Sequence, residues 1–330
     1  MKIAVLLWIK EFISLILRLL LFKVFVRHKQ NGRNILLFCS RRGGSTWVMN
    51  SMSNSPGLRY VGKPLIMLQF TTLYFKLHSY IRSQLSTQCD LNYVPFVSLP
   101  DKYHLIFDHY ISKIFNAEVN IYPSINFFGH YFQRSTSRVV FQITNGISLY
   151  DYFKDDPRYI SIVLFRNPIT TSLSIISRGW KPEYACYLSN SDFMHKYFTS
   201  DQRKLAHEYS QDNNSLFLHV LDWCLKFKPS YLNYVDSIEN IDGFYFYEQL
   251  RDDPSKYFND LCKFVDLDFE SVVKNISQPS RSSKLSNNEI RRSSFYSVPE
   301  KERIRMMSMV HSLGYDIYNF DNEYPFQDDK

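Results

Sequence analysis

The clearest pattern in the chain is an unbroken apolar run at residues 35–39. Ser40-Arg41-Arg42-Gly43-Gly44 follows, and then Trp47, Val48 and Met52 recur at helical spacing. The pattern predicts a buried strand, a basic glycine-rich turn and a helix opened by Ser45-Thr46. Residues 138–143 and 159–165 read as two more buried strands, joined by a short helix over 147–153 and a turn at Asp155-Asp156-Pro157. Apolar strands linked by helical crossovers build parallel sheets. Pro168 then starts a helix that carries Ser172 and Ser174. Residues 244–250 predict a strand ending in Tyr247-Glu248. Asp253-Pro254 opens a helix whose apolar face is Phe258, Leu261, Cys262 and Val265. A last helix is expected over 298–313, with an acidic, frayed tail after Tyr315. The fold class is α/β, a central parallel sheet flanked by helices.

The remaining stretches say less about the sheet. Residues 58–61 are a short extended run after the turn at 54–57, and residues 65–85 predict a helix rich in aromatics. Residues 87–136 are dense in Tyr, Phe and Asn, with His104, His109 and His130, and suit either an acceptor-binding surface or a packed insert. Residues 3–26 are strongly apolar but interrupted by Lys10, Glu11, Arg18 and Lys23. No charge-free run there exceeds seven residues, against the roughly 20 that cross a bilayer. Lys10, Ser14 and Arg18 share one helical stripe. A basic amphipathic helix lying in a membrane surface fits this pattern, with a tilted single-pass anchor as the alternative. No small-residue cleavage site of a signal peptide follows it. The chain therefore divides into an N-terminal membrane-associated helix, residues 1–30, and one domain, residues 31–330, held close to the membrane.

At 330 residues, with 45% hydrophobic and 22% charged, the chain is globular and long enough to bury a sizeable core. Its net charge of +7 is uneven: residues 1–50 hold nine Lys/Arg and one Glu, net +8, so the rest sums to −1. That distribution argues against a broad basic face for nucleic acid. Five cysteines, Cys39, Cys89, Cys186, Cys224 and Cys262, are odd in number and lack a C-x-x-C pair. They read as buried thiols in a reducing compartment, which places the domain on the cytoplasmic side.

A glycine-rich turn between a strand and a helix is built to hold an anion. The helix's first N–H groups are unpaired, and glycine lets the backbone come close. Arg42 adds charge, and Ser45 and Thr46 add hydroxyls. Arg166, at the carboxyl end of a parallel strand and facing a helix start, is placed for a second anion. A nucleoside-triphosphatase loop fits poorly, because its Gly-Lys-Ser/Thr ending is absent.

Arg42-Gly43-Gly44-Ser45-Thr46-Trp47 resembles the 5′-phosphosulfate loop of sulfotransferases that use 3′-phosphoadenosine 5′-phosphosulfate (PAPS). Arg166-Asn167-Pro168, with Ser174 eight residues after the arginine, resembles their 3′-phosphate motif. Tyr247-Glu248-Gln249-Leu250 followed by Asp253-Pro254 resembles a third family segment, and Ser280-Arg281-Ser282-Ser283-Lys284 the late segment that closes over the nucleotide. The resemblance covers roughly residues 34–65 and 138–284. It implies a P-loop NTPase-like sulfotransferase fold with PAPS as sulfuryl donor and no metal. The residues it implies for the donor are Arg41, Arg42, Gly43, Gly44, Ser45, Thr46, Trp47, Arg166, Ser174 and Arg281. The acceptor would be a hydroxyl or amine of a carbohydrate, glycolipid or small molecule.

One part departs from the family pattern. Many relatives place a glutamate near a proline about twenty residues after the loop, where this chain has Lys63-Pro64. The Thr-His-Leu-Pro of the cytosolic type is replaced by Ile143-Thr144-Asn145-Gly146. The catalytic expectation therefore falls on Arg42, for charge at the leaving oxygen, and on His130 as base, with His109 as the other candidate. Glu248 reads as structural. The alternatives are a catalytically impaired membrane scaffold of the PAPS family and a nucleotide-dependent kinase. The kinase is disfavoured by the missing loop lysine and by Arg166 where a metal-binding aspartate would stand.

Overall fold

In the computed structural model the apolar runs become strands of one sheet. The structure describes residues 27–28, 31–52, 55–62, 65, 96–98, 102, 104–115, 135–237, 243–276 and 294–325. The strands are β1 (Asn34–Cys39), β2 (Leu58–Gly62), β3 (Arg138–Ile143), β4 (Tyr159–Phe165) and β5 (Phe244–Phe246). Their order across the sheet is β2-β3-β1-β4-β5, and every pairing is parallel. Alternate residues of each strand point to opposite faces. Leu36, Phe38, Val139, Phe141, Val163 and Phe165 enter one core, while Ile35, Leu37, Cys39, Val140, Ile162 and Leu164 enter another. Burial on both faces is why these strands are mostly apolar instead of alternating.

Helices cover each face. The first core is closed by α8 (Ser215–Asp236) and α12 (Glu300–Ser312), through Trp223, Phe227, Met306 and Val310. The second is closed by α1 (Ser45–Met52), α10 (Pro254–Phe264) and α11 (Phe269–Ile276), through Val48, Met52, Phe258, Leu261 and Val272. The other helices are α2 (His104–Phe115), α3 (Tyr150–Phe153), α4 (Pro168–Ile176), α5 (Tyr184–Leu188), α6 (Ser191–Tyr197), α7 (Ser200–Tyr209) and α9 (Tyr247–Asp252). From β1 the chain proceeds to β2 on one side, and from β4 to β5 on the other. The topological switch therefore lies between β1 and β4, where α/β sheets bind ligands at the strands' carboxyl ends.

Three expectations are corrected. Residues 247–250 are helical, not extended: β5 pairs with β4 from Val163↔Phe244 as far as Phe165↔Phe246, and beyond Phe165 there is no ladder to join. The tail is packed as far as Pro325. Tyr315, Ile317 and Tyr318 are buried beside α8, and Glu323 pairs with Arg251 at 2.9 Å. Cys39, Cys224 and Cys262 are buried thiols outside any disulfide, whereas Cys186 is disulfide-bonded. Residues 3–26, Lys63, residues 66–85, Cys89, His130 and residues 280–284 lie outside the described residues. Among the described residues no helix is long and apolar enough to cross a membrane.

Phe165 anchors the first core beside the switch point. Its ring lies 5.5 Å from Phe246, 5.2 Å from Phe227 and 6.4 Å from Trp223. Phe165→Ala is expected to cost about 3–5 kcal/mol, read from the denaturant midpoint. A loss below about 1 kcal/mol would mean that the aromatic layer is not holding the sheet to α8.

Candidate functional site

The site forms where β1 and β4 end side by side, with Cys39 opposite Leu164. After Cys39 the chain turns through residues 40–44 into α1. Trp47 N–H and Val48 N–H both reach the Gly44 carbonyl, at 2.9 and 3.3 Å. The earlier amides have no intrahelical acceptor, as in any helix. Ser45 is braced from the sheet: its hydroxyl accepts from Gln142 Nε2 at 2.5 Å, and Gln142 in turn accepts from Tyr60 OH at 2.6 Å.

Two loop residues adopt positive φ, Arg42 at 64° and Gly44 at 90°. At Gly44 the glycine is obligatory, because a Cβ there would fall 2.1 Å from the Tyr247 ring. Arg42 keeps its side chain despite the backbone cost. Its Nε donates to Ser174 Oγ at 3.0 Å, and its carbonyl accepts from Arg166 Nη1 at 2.6 Å. Residues 42, 166 and 174, more than 120 positions apart at the extremes, thus meet in direct hydrogen bonds. Arg178 lies one helical turn beyond Ser174, and its charge also reaches Arg42. Burial first, then the Arg178 and Arg166 charges, lower the Arg42 pKa. An anion between these arginines would relieve that repulsion.

Arg166 is set by its own loop. Asn167 caps α4, its side chain accepting from Ile169 N–H and Thr170 N–H at 3.0 and 3.2 Å, and Pro168 occupies the first helical turn. The Arg166 guanidinium lies 4.5 Å over the Tyr247 ring. Its Nε is buried and has no partner among the described residues. Such an orphaned charged donor, beside a glycine cradle and a helix N-terminus, fits a phosphate-bearing ligand.

Glu248 ties this loop to the rest of the fold. Fully buried, it accepts from Asn167 N–H at 2.8 Å and pairs with Tyr318 OH at 3.2 Å. Burial pushes its pKa up to about 7, against the pull of the Asn167 bond and the Arg166 charge.

Other expected residues go elsewhere. Arg41 turns inward to a buried ion pair with Glu183, so its side chain does not face the loop opening. The Trp47 indole N–H donates to the Ile276 carbonyl at 2.9 Å, and its ring stands edge-on to Tyr247 and Phe258. His109 is exposed on α2. Neighbouring Asp108 and Ser112 bond Tyr152 and Arg158 beside the amino end of β4, at the opposite end of the strands from Arg42. Tyr247 is the contact that sequence reasoning missed as a site wall. Its signal was the aromatic residue at the end of the third apolar run.

No family model matches the chain, and no curated protein matches it in sequence. Among solved structures, it is similar to the sulfotransferase domain from the Synechococcus PCC 7002 olefin synthase, at 13% identity and TM-score 0.42, covering 89% of this chain and 98% of that one. It is also similar to mouse sulfotransferase SULT7A1 complexed with PAP, at 15% identity and TM-score 0.31, covering 83% and 71%. A sulfotransferase from Alicyclobacillus acidocaldarius gives 10% identity and TM-score 0.35, covering 86% and 94%. The site described above rests on this chain's own residues.

Glu248 makes the loop pH-sensitive. A carboxyl with a raised folded pKa keeps its proton in the folded state at pH values where the unfolded chain has lost it. Between the ordinary 4.5 and about 7 its contribution to stability therefore falls as pH rises. Glu248→Gln should remove a decline of about 3 kcal/mol across that window. The check is denaturant unfolding of both proteins at several pH values. Parallel curves would show that Glu248 ionises normally.

Proposed function

We propose that the chain is a PAPS-dependent sulfotransferase. The observation that carries this reading is the meeting of Arg42, Ser174 and Arg166 at the switch point, through bonds of 3.0 and 2.6 Å. On this reading the residue 42–47 loop and the start of α1 hold the 5′-phosphosulfate. Arg166 and Ser174 hold the 3′-phosphate, and Arg281, outside the described residues, is a further candidate for it.

When bound, PAPS supplies an activated sulfuryl group, whose bond to a phosphate oxygen breaks as an acceptor oxygen or nitrogen bonds to sulfur. The chain's part is positioning and electrostatics. Arg42 and the first amides of α1 stabilise charge gathering on the leaving phosphate oxygen. Ser174, bonded to Arg42, sets the guanidinium's orientation. Arg166 fixes the Arg42 carbonyl and so the loop's shape. The acceptor proton goes to His130, the remaining histidine candidate for the base. The acceptor is a carbohydrate, lipid or small molecule. Residues 3–26 would hold the enzyme against a membrane surface.

Adenosine 3′,5′-bisphosphate and 5′-AMP differ by the 3′-phosphate alone. A ligand bound only by the folded state stabilises it by about 2.7 kcal/mol at a hundred times its Kd. The bisphosphate should raise Tm by several degrees where AMP does little, and Arg166→Ala should erase most of that difference. Arg42→Ala should weaken both ligands. Better stabilisation by ATP with magnesium, or intact discrimination in Arg166→Ala, would sink the assignment. For the base, His130→Ala is expected to lower kcat by about 10²–10⁴ with nucleotide affinity unchanged. An unchanged rate removes His130 from the mechanism.

A further inference from the structure

Behind the loop lies a buried charge cluster that the proposed chemistry does not use. It begins at Arg41, the residue before Arg42. The Arg41 guanidinium pairs with Glu183, donates to the Lys181 carbonyl at 3.3 Å and lies 5.0 Å from the centre of the Trp180 ring. The other Glu183 oxygen is 2.7 Å from Lys226 Nζ, and Lys226 also holds Asp222, one turn earlier on α8, at 2.5 Å. Asp222 accepts the Glu183 backbone N–H at 3.0 Å, which closes the circuit between loop, residues 180–183 and α8. All four charged side chains are at most 7% exposed. Two cations face two carboxylates. His219, also buried and three residues before Asp222, has a pKa driven down to about 4 chiefly by burial, so at neutral pH it adds no charge.

Well-packed apolar residues of similar volume commonly stabilise a core as well as such a cluster does, because the ions lose their water. Holding the fold together therefore does not by itself call for charge here. The place of Arg41 in the chain does. It shares a peptide bond with Arg42, whose φ of 64° is a sparsely populated conformation for a side-chain-bearing residue and persists only when the surroundings over-determine it. Arg166 holds that residue from the carbonyl side, and Arg41 holds it from the amino side.

We propose that Glu183 is a positioning residue for the anion loop: acting through Arg41, it fixes the backbone of residues 40–44 in the form that receives the ligand. The nucleotide part of this proposal rests on the sulfotransferase reading, whereas the rigidity of the loop does not.

Two variants of the full chain separate this role from simple core packing. Glu183→Leu alone leaves Arg41 and Lys226 facing one carboxylate, and should lower Tm sharply. Arg41→Met with Glu183→Leu removes one charge of each sign and leaves the Lys226–Asp222 pair, so Tm should return to within a few degrees of wild type. Amide exchange at residues 40–46, followed without nucleotide, should nonetheless be at least tenfold faster in the double variant. Its Kd for adenosine 3′,5′-bisphosphate should rise at least tenfold. If Tm, exchange and affinity all recover together, the cluster is only part of the core and the proposal falls.

Should the double variant fail to fold, Arg41→Lys keeps the charge count but loses the planar contacts to Lys181 and Trp180. Faster loop exchange at near-normal Tm supports the proposal, and wild-type exchange overturns it. A wild-type protein that ignores the bisphosphate would refute the sulfotransferase reading instead, and the exchange measurement would then decide this one alone.

Discussion

Parallel strands in a ladder lie about 4.8 Å apart, and the pairing of Cys39 with Leu164 brings the ends of β1 and β4 to that separation. The loops that follow must then share one small volume. One carries Arg42 and opens α1; the other carries Arg166 and opens α4. Ser174 reaches Arg42 only because α4 starts from this point and Asn167 caps it there. Glu248 arrives from β5, the next strand over, and fastens the second loop by its first free amide. A strand inserted between β1 and β4, or between β4 and β5, would separate these groups by one more ladder step.

The arginines of the two motifs serve different ends. Arg42 and Arg166 crowd positive charge at the strand ends, which costs the empty site something and favours an anion. Arg41, adjacent in sequence, is neutralised inside the protein by Glu183. The basic N-terminal fifty residues therefore overstate how much charge the loop presents. This division is also why the arginine pair cannot be treated as one basic patch. A substitution at Arg41 disturbs a buried carboxylate, while one at Arg42 removes a charge facing the site.

Much of the architecture was legible because burial on both faces leaves a simple mark. Residues 35–39 and 159–165 are apolar at nearly every position, residues 138–143 carry only Arg138 and Gln142 as polar side chains, and all three became inner strands. The Asn167-Pro168 cap and the Asp253-Pro254 cap were equally readable, since each depends on local hydrogen bonds. What the sequence concealed were partners distant along the chain. Nothing near Arg41 announces Glu183, 142 positions away. Tyr247 looked like strand because aromatic residues favour strands, but the end of β4 removed its ladder. The tail looked frayed because acidic residues usually mark a solvated end. Tyr315 and Tyr318 pack on Trp223, at ring separations of 5.3 and 6.3 Å, and Arg251 pairs with Glu323.

Arg42 bears on how this protein could be engineered. It is followed by two glycines, and its φ of 64° is one that a third glycine would occupy without strain. For an L-residue that backbone costs roughly 1 kcal/mol or more. A screen that rewards heat resistance alone would therefore favour glycine at this position, since the fold relaxes and the arginine repulsion disappears. The selected protein would melt later and hold its anion more weakly. Loop stability and the loop's charge are in direct opposition at a single residue, so thermal selection here has to be run with ligand present.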